Sequence, residues 1–275
     1  MPTAQLPGDL RMRYEVDDFT DPWAPAETVI LHHGNGKNLK LWYAWVPLLA
    51  RDFRVVRLDA RGFGESSVPN PGYAWSLENF ADDLKNFMDE LNIDKAHLVG
   101  ESVGGTIGLQ FAQRYPERLH SLTTCSSPFK FRGKSTYMDS HKLISEQGVE
   151  PWVRGSSDNR LESGRSDAAH GEWYIREMCR TQKHVLLETF KYLATVDLTS
   201  VLQQIPVPTM VMVGEHSLSN IPDRAQNMAA LIPKGKLMVI PGASGFVQHS
   251  VPEQCVALWR EFVAGLEHPG QQHTH

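Results

Sequence analysis

Residues 96–105 read Ala96-His97-Leu98-Val99-Gly100-Glu101-Ser102-Val103-Gly104-Gly105. A short apolar run passes into Gly-x-Ser-x-Gly, and Val103 to Arg114 continues at helical spacing until Pro116. That strand–turn–helix context is the one in which the motif has a mechanical meaning. The chain turns sharply and leaves the serine on a strained corner with its hydroxyl outward. The glycines let neighbouring backbone come close. The Val103 N–H and the helix N-terminus then face an anion placed beside Ser102.

Outward from this corner, buried strands alternate with amphipathic helices. Thr28 to Leu31 is a continuous apolar run ending in His32-His33-Gly34-Asn35-Gly36. This glycine-rich turn can aim a backbone N–H, that of Asn35, at a developing oxyanion. His33 is read as part of the turn that walls the pocket. Phe53 to Leu58 is the next strand, and Asp59 to Ser66 after it reads as a structural turn. Ser76 is an N-cap for a helix whose apolar stripe is Leu77, Phe80, Leu84, Phe87, Met88 and Leu91. Arg11 to Val16 alternates like a sheet edge. Leu119–Thr124, Thr209–Val213 and Leu237–Ile240 repeat the buried-strand pattern, and helices Pro222–Leu231 and Pro252–Leu266 follow the last two. Such alternation predicts a mostly parallel sheet covered on both faces.

Residues 128–202 break the rhythm. Trp173, Ile175 and Met178, then Val185, Leu186, Phe190 and Leu193, fall at helical spacing, while the polar stretch Gly155 to Ser166 reads as a loop. The expectation is a helical cap, 128–202, inserted into a core formed by 1–127 and 203–275. The tail His268 to His275 reads as frayed.

Composition removes several function classes. Lys plus Arg is 27 against 32 Asp plus Glu, net −5, with no basic run, so the footprint of a nucleic-acid binder is missing. Three separated cysteines make neither a disulfide framework nor a zinc spacing. No segment approaches the roughly 18 apolar residues of a membrane span. Met1 to Leu10 lacks the basic start and apolar run of a signal peptide. A cytoplasmic protein with no membrane or nucleic-acid partner is expected. No dinucleotide fingerprint and no His-Glu-x-x-His pattern occur, so neither cofactor nor metal is expected. Oligomeric state leaves no mark in the sequence.

The three motifs in this order, at His33-Gly34-Asn35-Gly36, Asp59 to Ser66 and Gly100 to Gly104, resemble the α/β-hydrolase superfamily. The likeness extends to its small bacterial esterase, lactonase and C–C hydrolase members. It implies an eight-stranded, mostly parallel sheet flanked by helices, with the helical cap between core segments. It also implies a Ser–acid–His triad, with the acid after Thr209–Val213 and the histidine after Leu237–Ile240. Here the chain departs from the family pattern. Gly214-Glu215-His216-Ser217 puts Ser217 where the acid is expected, and Gly245 stands where the histidine is expected, seven residues before Pro252-Glu253. Cys125-Ser126-Ser127, the other place a relative keeps its acid, has no carboxylate either.

A serine hydroxyl is a weak nucleophile without a base. Three readings follow. In the first, substitutes act: His249, in the same loop as Gly245, is the candidate base, with Glu215, and less directly Asp223, to orient it. His216 is a further imidazole beside the vacant acid position. In the second, the fold is a non-hydrolytic member, a lyase, cyclase, isomerase or ligand-binding receptor, with a degenerate triad. In the third, the chain carries replacements at 217 and 245. The leading function is hydrolysis of a carboxylic ester, lactone or related carbonyl compound, with Ser102 attacking and the Asn35 and Val103 N–H groups holding the oxyanion. Trp42, Trp152, Trp173 and Tyr174 are expected around the pocket between cap and core, which suits an apolar or aromatic small-molecule substrate. Glu101 is read as a buried polar residue that supports the corner.

Overall fold

The computed structural model describes residues 2–131, 135–162, 167–218 and 222–267. The histidine tail 268–275 lies outside the described residues. Strands β1 (Thr3–Leu6), β2 (Leu10–Asp17), β3 (Thr28–His32), β4 (Arg54–Leu58), β5 (Ala96–Glu101), β6 (Leu119–Cys125), β7 (Thr209–Gly214) and β8 (Gly235–Ile240) form one sheet. Their order is β1-β2-β4-β3-β5-β6-β7-β8. β1 and β2 pair antiparallel, β2 joins β4 antiparallel, and every pairing from β4 to β8 is parallel.

Helices join and cover the strands. They are α1 (Val46–Leu49), α2 (Leu77–Glu90), α3 (Val103–Arg114), α4 (Ser135–Gln147), α5 (Val149–Leu161), α6 (Ala168–Met178), α7 (Lys183–Leu193), α8 (Thr199–Leu202), α9 (Pro222–Leu231), α10 (Val247–Ser250) and α11 (Pro252–Glu267). Among the described residues no helix is long and apolar enough to cross a membrane.

The period-2 alternation of a strand explains why there are two cores. On β3, Ile30 faces one core while Val29 and Leu31 face the other. On β7, Val211 and Val213 join the first core, and Met210 and Met212 the second. The central strands are buried on both faces, so they read as continuous apolar runs. Ser76 caps α2 as its sequence predicts: its hydroxyl accepts from Asn79 N–H at 3.0 Å. The α2 stripe is buried, and its one buried carboxylate, Asp83, is paired with Arg61 at 2.6 Å.

Helices α4 to α7 lie in the chain between β6 and the short α8, which precedes β7. The segments entering and leaving them pair with each other: Phe131 N–H donates to Val196 O, and Leu198 N–H to Phe129 O. Their apolar residues, among them Trp152, Tyr174 and Phe190, continue the first core. Two differences from the sequence reading stand out. The stretch 155–161, expected as loop, completes α5, because Trp152, Val153 and Leu161 bury along one face. Ser156 and Ser157 return their hydroxyls to carbonyls of the preceding turn. Residues 163–166 lie outside the described residues. The second difference is β1, whose four residues are too short a pattern to read. It is held by a hairpin in which Gly8 and Asp9 both take positive φ.

The glycines of α3 allow a direct test. A methyl group on Gly104 would collide with the carbonyl oxygens of His32 and His33, which are backbone. One on Gly108 would meet the flexible end of Leu122 at 2.7 Å. Gly→Ala within a helix otherwise gains about 1 kcal/mol, and overpacking against fixed atoms costs about 1–3 kcal/mol. Gly104→Ala is therefore expected to destabilise the protein by about 2 kcal/mol, and Gly108→Ala by at least about 1 kcal/mol less. Urea denaturation of both variants measures the difference.

Candidate active site

Ser102 stands between β5 and α3 with φ 50° and ψ −120°, backbone that an L residue holds only under strain of about 1–3 kcal/mol. Its N–H donates to Cys125 O at 2.9 Å, and its carbonyl accepts from Gly105 and Thr106 N–H, so the corner is tied into β6 behind and α3 ahead. Gly100 and Gly104 are required here. A Cβ on Gly100 would lie 2.5 Å from the Gly104 carbonyl carbon. The turn after β3 presses against the same corner: a Cβ on Gly34 would be 3.1 Å from Ser102 Cβ. Asn35 and Val103 both line the cleft beside it. Val103 opens α3, so its N–H is one of the orphan donors of a helix N-terminus.

That cleft is narrow and almost wholly apolar, walled by Phe63, Phe80, Val103, Ile107 and Leu193. Its cavity volume is about 10 Å³, the room of one water. A larger, open depression of about 430 Å³ at Phe19, Val46, Pro47, Arg51 and Arg57 is lined by no residue of the serine corner.

His33 borders the cleft, but both its ring nitrogens are spent. Nε2 accepts from Ala60 N–H at 2.9 Å and Nδ1 faces Gly34 O at 2.8 Å. Burial lowers its pKa to about 4, and that of His32 to about 3.

The main surprise lies behind the Gly34 turn. Glu101, next to the serine, is 1% exposed, and its carboxylate collects four donors. Oε1 accepts from Gly34 N–H at 2.7 Å. Oε2 takes Lys37 Nζ at 2.7 Å, His249 Nε2 at 3.1 Å and Gln248 Nε2. Lys37 is equally buried and sits 3.1 Å from the same His249 nitrogen. The rings of Phe246, 4.3 Å from Nζ, and Tyr174, 5.5 Å away, close the other sides. Burial pushes the Glu101 carboxyl up, but the Lys37 ammonium, then the hydrogen bond and charge of His249, outweigh it and hold the group well below the usual carboxylate range. Burial and the Lys37 charge lower His249 to about 4, against the pull of Glu101.

This geometry corrects the sequence reading of the acid. Glu215 is half exposed and accepts from Gly242 N–H at 2.9 Å. It does not reach His249, whose carboxylate partner is Glu101. His216 lies out in solvent beside Glu215, and Asp223 stands in the first turn of α9. Among the described residues no imidazole hydrogen-bonds to the Ser102 hydroxyl. His249 Nε2 faces Lys37 and Glu101 instead, while its Nδ1 has no hydrogen-bond partner among the described residues.

Positions 217 and 245, where the resemblance places the acid and the histidine, differ in their surroundings. Ser217 is buried, with its N–H donating to Gly214 O. Gly245 is held by the inserted helices: its N–H donates to Glu162 Oε1 at 2.6 Å, and Ser244 N–H donates to the same oxygen. Phe246 N–H donates to Arg160 O.

The aromatic residues divide. Tyr174 is fully buried with its ring edge-on to His249, and its hydroxyl has no partner among the described residues. Trp152 packs on Phe190 and comes within 3.3 Å of the space over Gly36. Trp173 is half-buried against Tyr43 and His170. Trp42 packs edge-on against Trp45 in the second core, and none of Trp42, Trp152, Trp173 and Tyr174 lines the cleft beside Ser102, which corrects the expected aromatic pocket. Sequence reasoning missed Lys37, Gln248 and Glu162. The available signal was a lysine and a glutamate placed inside glycine-rich motifs, where neither side chain is expected to reach solvent.

A family model described as alpha/beta hydrolase fold matches residues 27–250. The pimeloyl-[acyl-carrier protein] methyl ester esterase of Aeromonas hydrophila is 28% identical over 251 residues, covering 86% of this chain and 94% of that protein. The 3-oxoadipate enol-lactonase 1 of Acinetobacter baylyi is 24% identical over 245 residues, covering 88% and 90%. The crystal structure of the enol-lactonase from Burkholderia xenovorans LB400 superposes with a TM-score of 0.87 at 22% identity, covering 96% of this chain and all of that one.

The buried titratable groups set an acid limit on stability. His32, His33 and His249 have folded pKa values below the unfolded 6.5. Their contribution is complete above pH 6.5 and is lost as pH falls toward 4. Burial raises Asp59 to about 6, above its unfolded value, so it opposes this by one proton over the same window. The unfolded chain then binds about two more protons near pH 5, a slope of about 3 kcal/mol per pH unit. Urea midpoints measured from pH 7 to 4 should show this fall, and His249→Gln should reduce the slope by about 1.4 kcal/mol per unit.

Proposed function

This chain belongs to the α/β-hydrolase fold family, and we propose that it hydrolyses a small, apolar carboxylic ester or lactone with Ser102 as nucleophile. One observation carries the reading: the strained Ser102 corner is wedged between the Gly34-Asn35 turn and the N-terminus of α3, at the end of an apolar cleft. Ester and lactone chemistry is named for relatives that match along most of their length. In this mechanism Ser102 Oγ attacks the carbonyl carbon, and the charge that develops on oxygen is met by the N–H groups of Asn35 and Val103. His249 takes the serine proton through Nδ1 and returns it to the leaving alkoxide. Glu101, whose Oε2 lies 3.1 Å from His249 Nε2, takes the orienting role that Glu215 was expected to fill. The acyl-enzyme is then cleaved by water with the same proton route in reverse. The helices between residues 128 and 202 act as the cap over a core of 1–127 and 203–275. Reaching Ser102 Oγ requires the His249 side chain to turn or one water to bridge.

A second reading, ligand binding or non-hydrolytic chemistry on the same fold, is favoured by one observation: His249 is hydrogen-bonded within the Lys37–Glu101 pair and not to the serine.

Fluorophosphonate labelling followed by intact mass separates the two. Rapid labelling that is lost in Ser102→Ala and slowed about 10²–10⁴-fold in His249→Ala is expected for the hydrolase. A folded protein that never labels establishes the second reading.

A further inference from the structure

In the mechanism Asn35 acts through its backbone N–H, and its side chain has no task. Gly34 to Lys37 is a tight turn: Lys37 N–H donates to Gly34 O at 3.2 Å, and Gly36 takes the positive φ of 74° that a type II turn requires at that place. Asn35 is the corner residue before it. Its own N–H has no acceptor among the described residues. Its Nδ2 is out of reach of solvent and has no partner either. A buried amide without an acceptor is costly and needs a reason.

The surroundings supply one. Asn35 lines the cleft beside Ser102, whose other polar side chains are His32, His33, Thr189 and Tyr192. These turn to the protein. His32 and His33 hold Nδ1 against the carbonyls of the residues that follow them, at 2.9 and 2.8 Å. Thr189 Oγ1 donates to Val185 O at 2.8 Å, and the Tyr192 hydroxyl accepts from Leu77 N–H at 2.8 Å. Among the side chains lining the cleft, Asn35 Nδ2 is thus the one fully buried polar atom without a partner among the described residues.

We propose that Asn35 is a specificity-determining residue: its side-chain amide donates to a second oxygen of the substrate, and so selects esters or lactones that carry an acceptor oxygen on the α or β carbon of the acyl group. The inference rests on the hydrolase reading for the reaction, but not for the contact. Only Cα, Cβ and Cγ separate the Asn35 backbone nitrogen from Nδ2. When the backbone N–H holds the scissile carbonyl oxygen, the amide reaches an oxygen a few atoms along the acyl group and not the far end of a chain. Nδ2 donates and cannot accept, so a ketone, ether or ester oxygen satisfies it. An acyl group of the same shape without that oxygen buries the amide unpaired, which disfavours it by about 5–150-fold. A substrate enters by displacing the α7 residues Thr189, Tyr192 and Leu193 that wall the cleft, and it then meets apolar side chains on its other sides.

The test compares methyl 3-oxohexanoate with methyl hexanoate, which differ by one acceptor oxygen on the β carbon. It uses the wild type, Asn35→Ala and Asn35→Leu. Both variants keep the backbone N–H, and the φ of residue 35 is not positive, so either side chain fits the turn. The two esters differ in intrinsic reactivity, so the quantity read is the ratio of their kcat/KM, compared between proteins, in which that difference cancels. The ratio should favour the 3-oxo ester by about 5–150-fold more in the wild type than in Asn35→Leu, with Asn35→Ala also losing the preference. A side chain that only shapes the turn would alter both esters alike, and an unchanged ratio in both variants overturns the inference. Where a protein turns over neither ester, the same pair is read by NMR titration as two Kd values. Tighter binding of the 3-oxo ester by the wild type, lost in Asn35→Leu, upholds the contact; if the wild type also fails to label at Ser102, the hydrolase reading falls alone. Equal Kd values for the two esters in the wild type, or no binding of either, overturn the inference.

Discussion

The close approach of three backbone segments at Ser102 is the constraint from which the rest of the site follows. β5 delivers the serine, α3 leaves it, and the turn after β3 closes over it. The approach is possible only because positions 34, 100 and 104 lack side chains. At 100 and 104 the nearest atoms are backbone, which no rotamer change can move, and at 34 they are the Glu101 carboxylate and Ser102 Cβ. The strain of a positive φ at Ser102 persists because β5 is buried along its whole length and α3 is anchored by its own core face. Burying such residues contributes about 1.5–3 kcal/mol for each large apolar side chain. One strained residue is therefore a small term beside the strand and helix that impose it.

The same closeness explains why a charged network can exist behind the serine. Glu101 is carried inward by the strand that positions Ser102, and the Gly34 N–H of the neighbouring turn is already aimed at its carboxylate. An unpaired buried carboxylate is costly by several kcal/mol. Its four polar partners, one of them a permanent cation, reduce that cost, and the low local dielectric strengthens each of these contacts. The network comes from four separate parts of the chain: the turn after β3, the end of β5, α6 and α10. It therefore ties the inserted helices and the late loop to the motif that bears the serine. Loss of any one partner leaves the others unsatisfied, which makes the cluster a device for fixing geometry more than a source of stability.

Local patterns were the legible part of the molecule. The strand–Gly-x-Ser-x-Gly–helix corner is written within ten consecutive residues, and the alternation of apolar runs and helical stripes is enough for a parallel sheet. Contacts that span the chain were not legible. Lys37 and Glu101 are 64 positions apart, and although Glu101 reads as buried, nothing local pairs it with Lys37. Glu215 was chosen for its nearness in sequence to the family's acid position, but its loop turns the side chain outward and buries Ser217 instead. Trp42 illustrates a different failure. Its aromatic character is plain, but the face of the sheet on which it settles depends on how the short helix after β3 seats, and it seats on the side of Trp45 and Trp259. The Gly- and Ser-containing stretch 155–161 has weak helix propensity, which the burial of Trp152, Val153 and Leu161 overrides.

Position 245, where the resemblance leads one to expect a histidine, is closely packed. A Cβ there would lie 2.8 Å from Arg160 O and 3.0 Å from Glu162 Cγ, so an imidazole could enter only if the end of α5 withdrew. The Glu162 carboxylate instead takes the Ser244 and Gly245 N–H groups, and the Arg160 carbonyl takes that of Phe246. The loop is thus held to the inserted helices by its backbone, with no side chain needed at 245. That attachment brings Phe246 over Lys37 and starts α10 directly afterwards, which turns Gln248 and His249 inward toward Glu101. Four residues, about one turn of helix, separate the vacated position from the imidazole that is present. A carboxylate at 217 could not serve an imidazole that points toward Lys37. Under the proposed mechanism, with His249 as the base, the acid that can orient it is the one beside the serine, and the changes at 217 and 245 are then parts of one rearrangement.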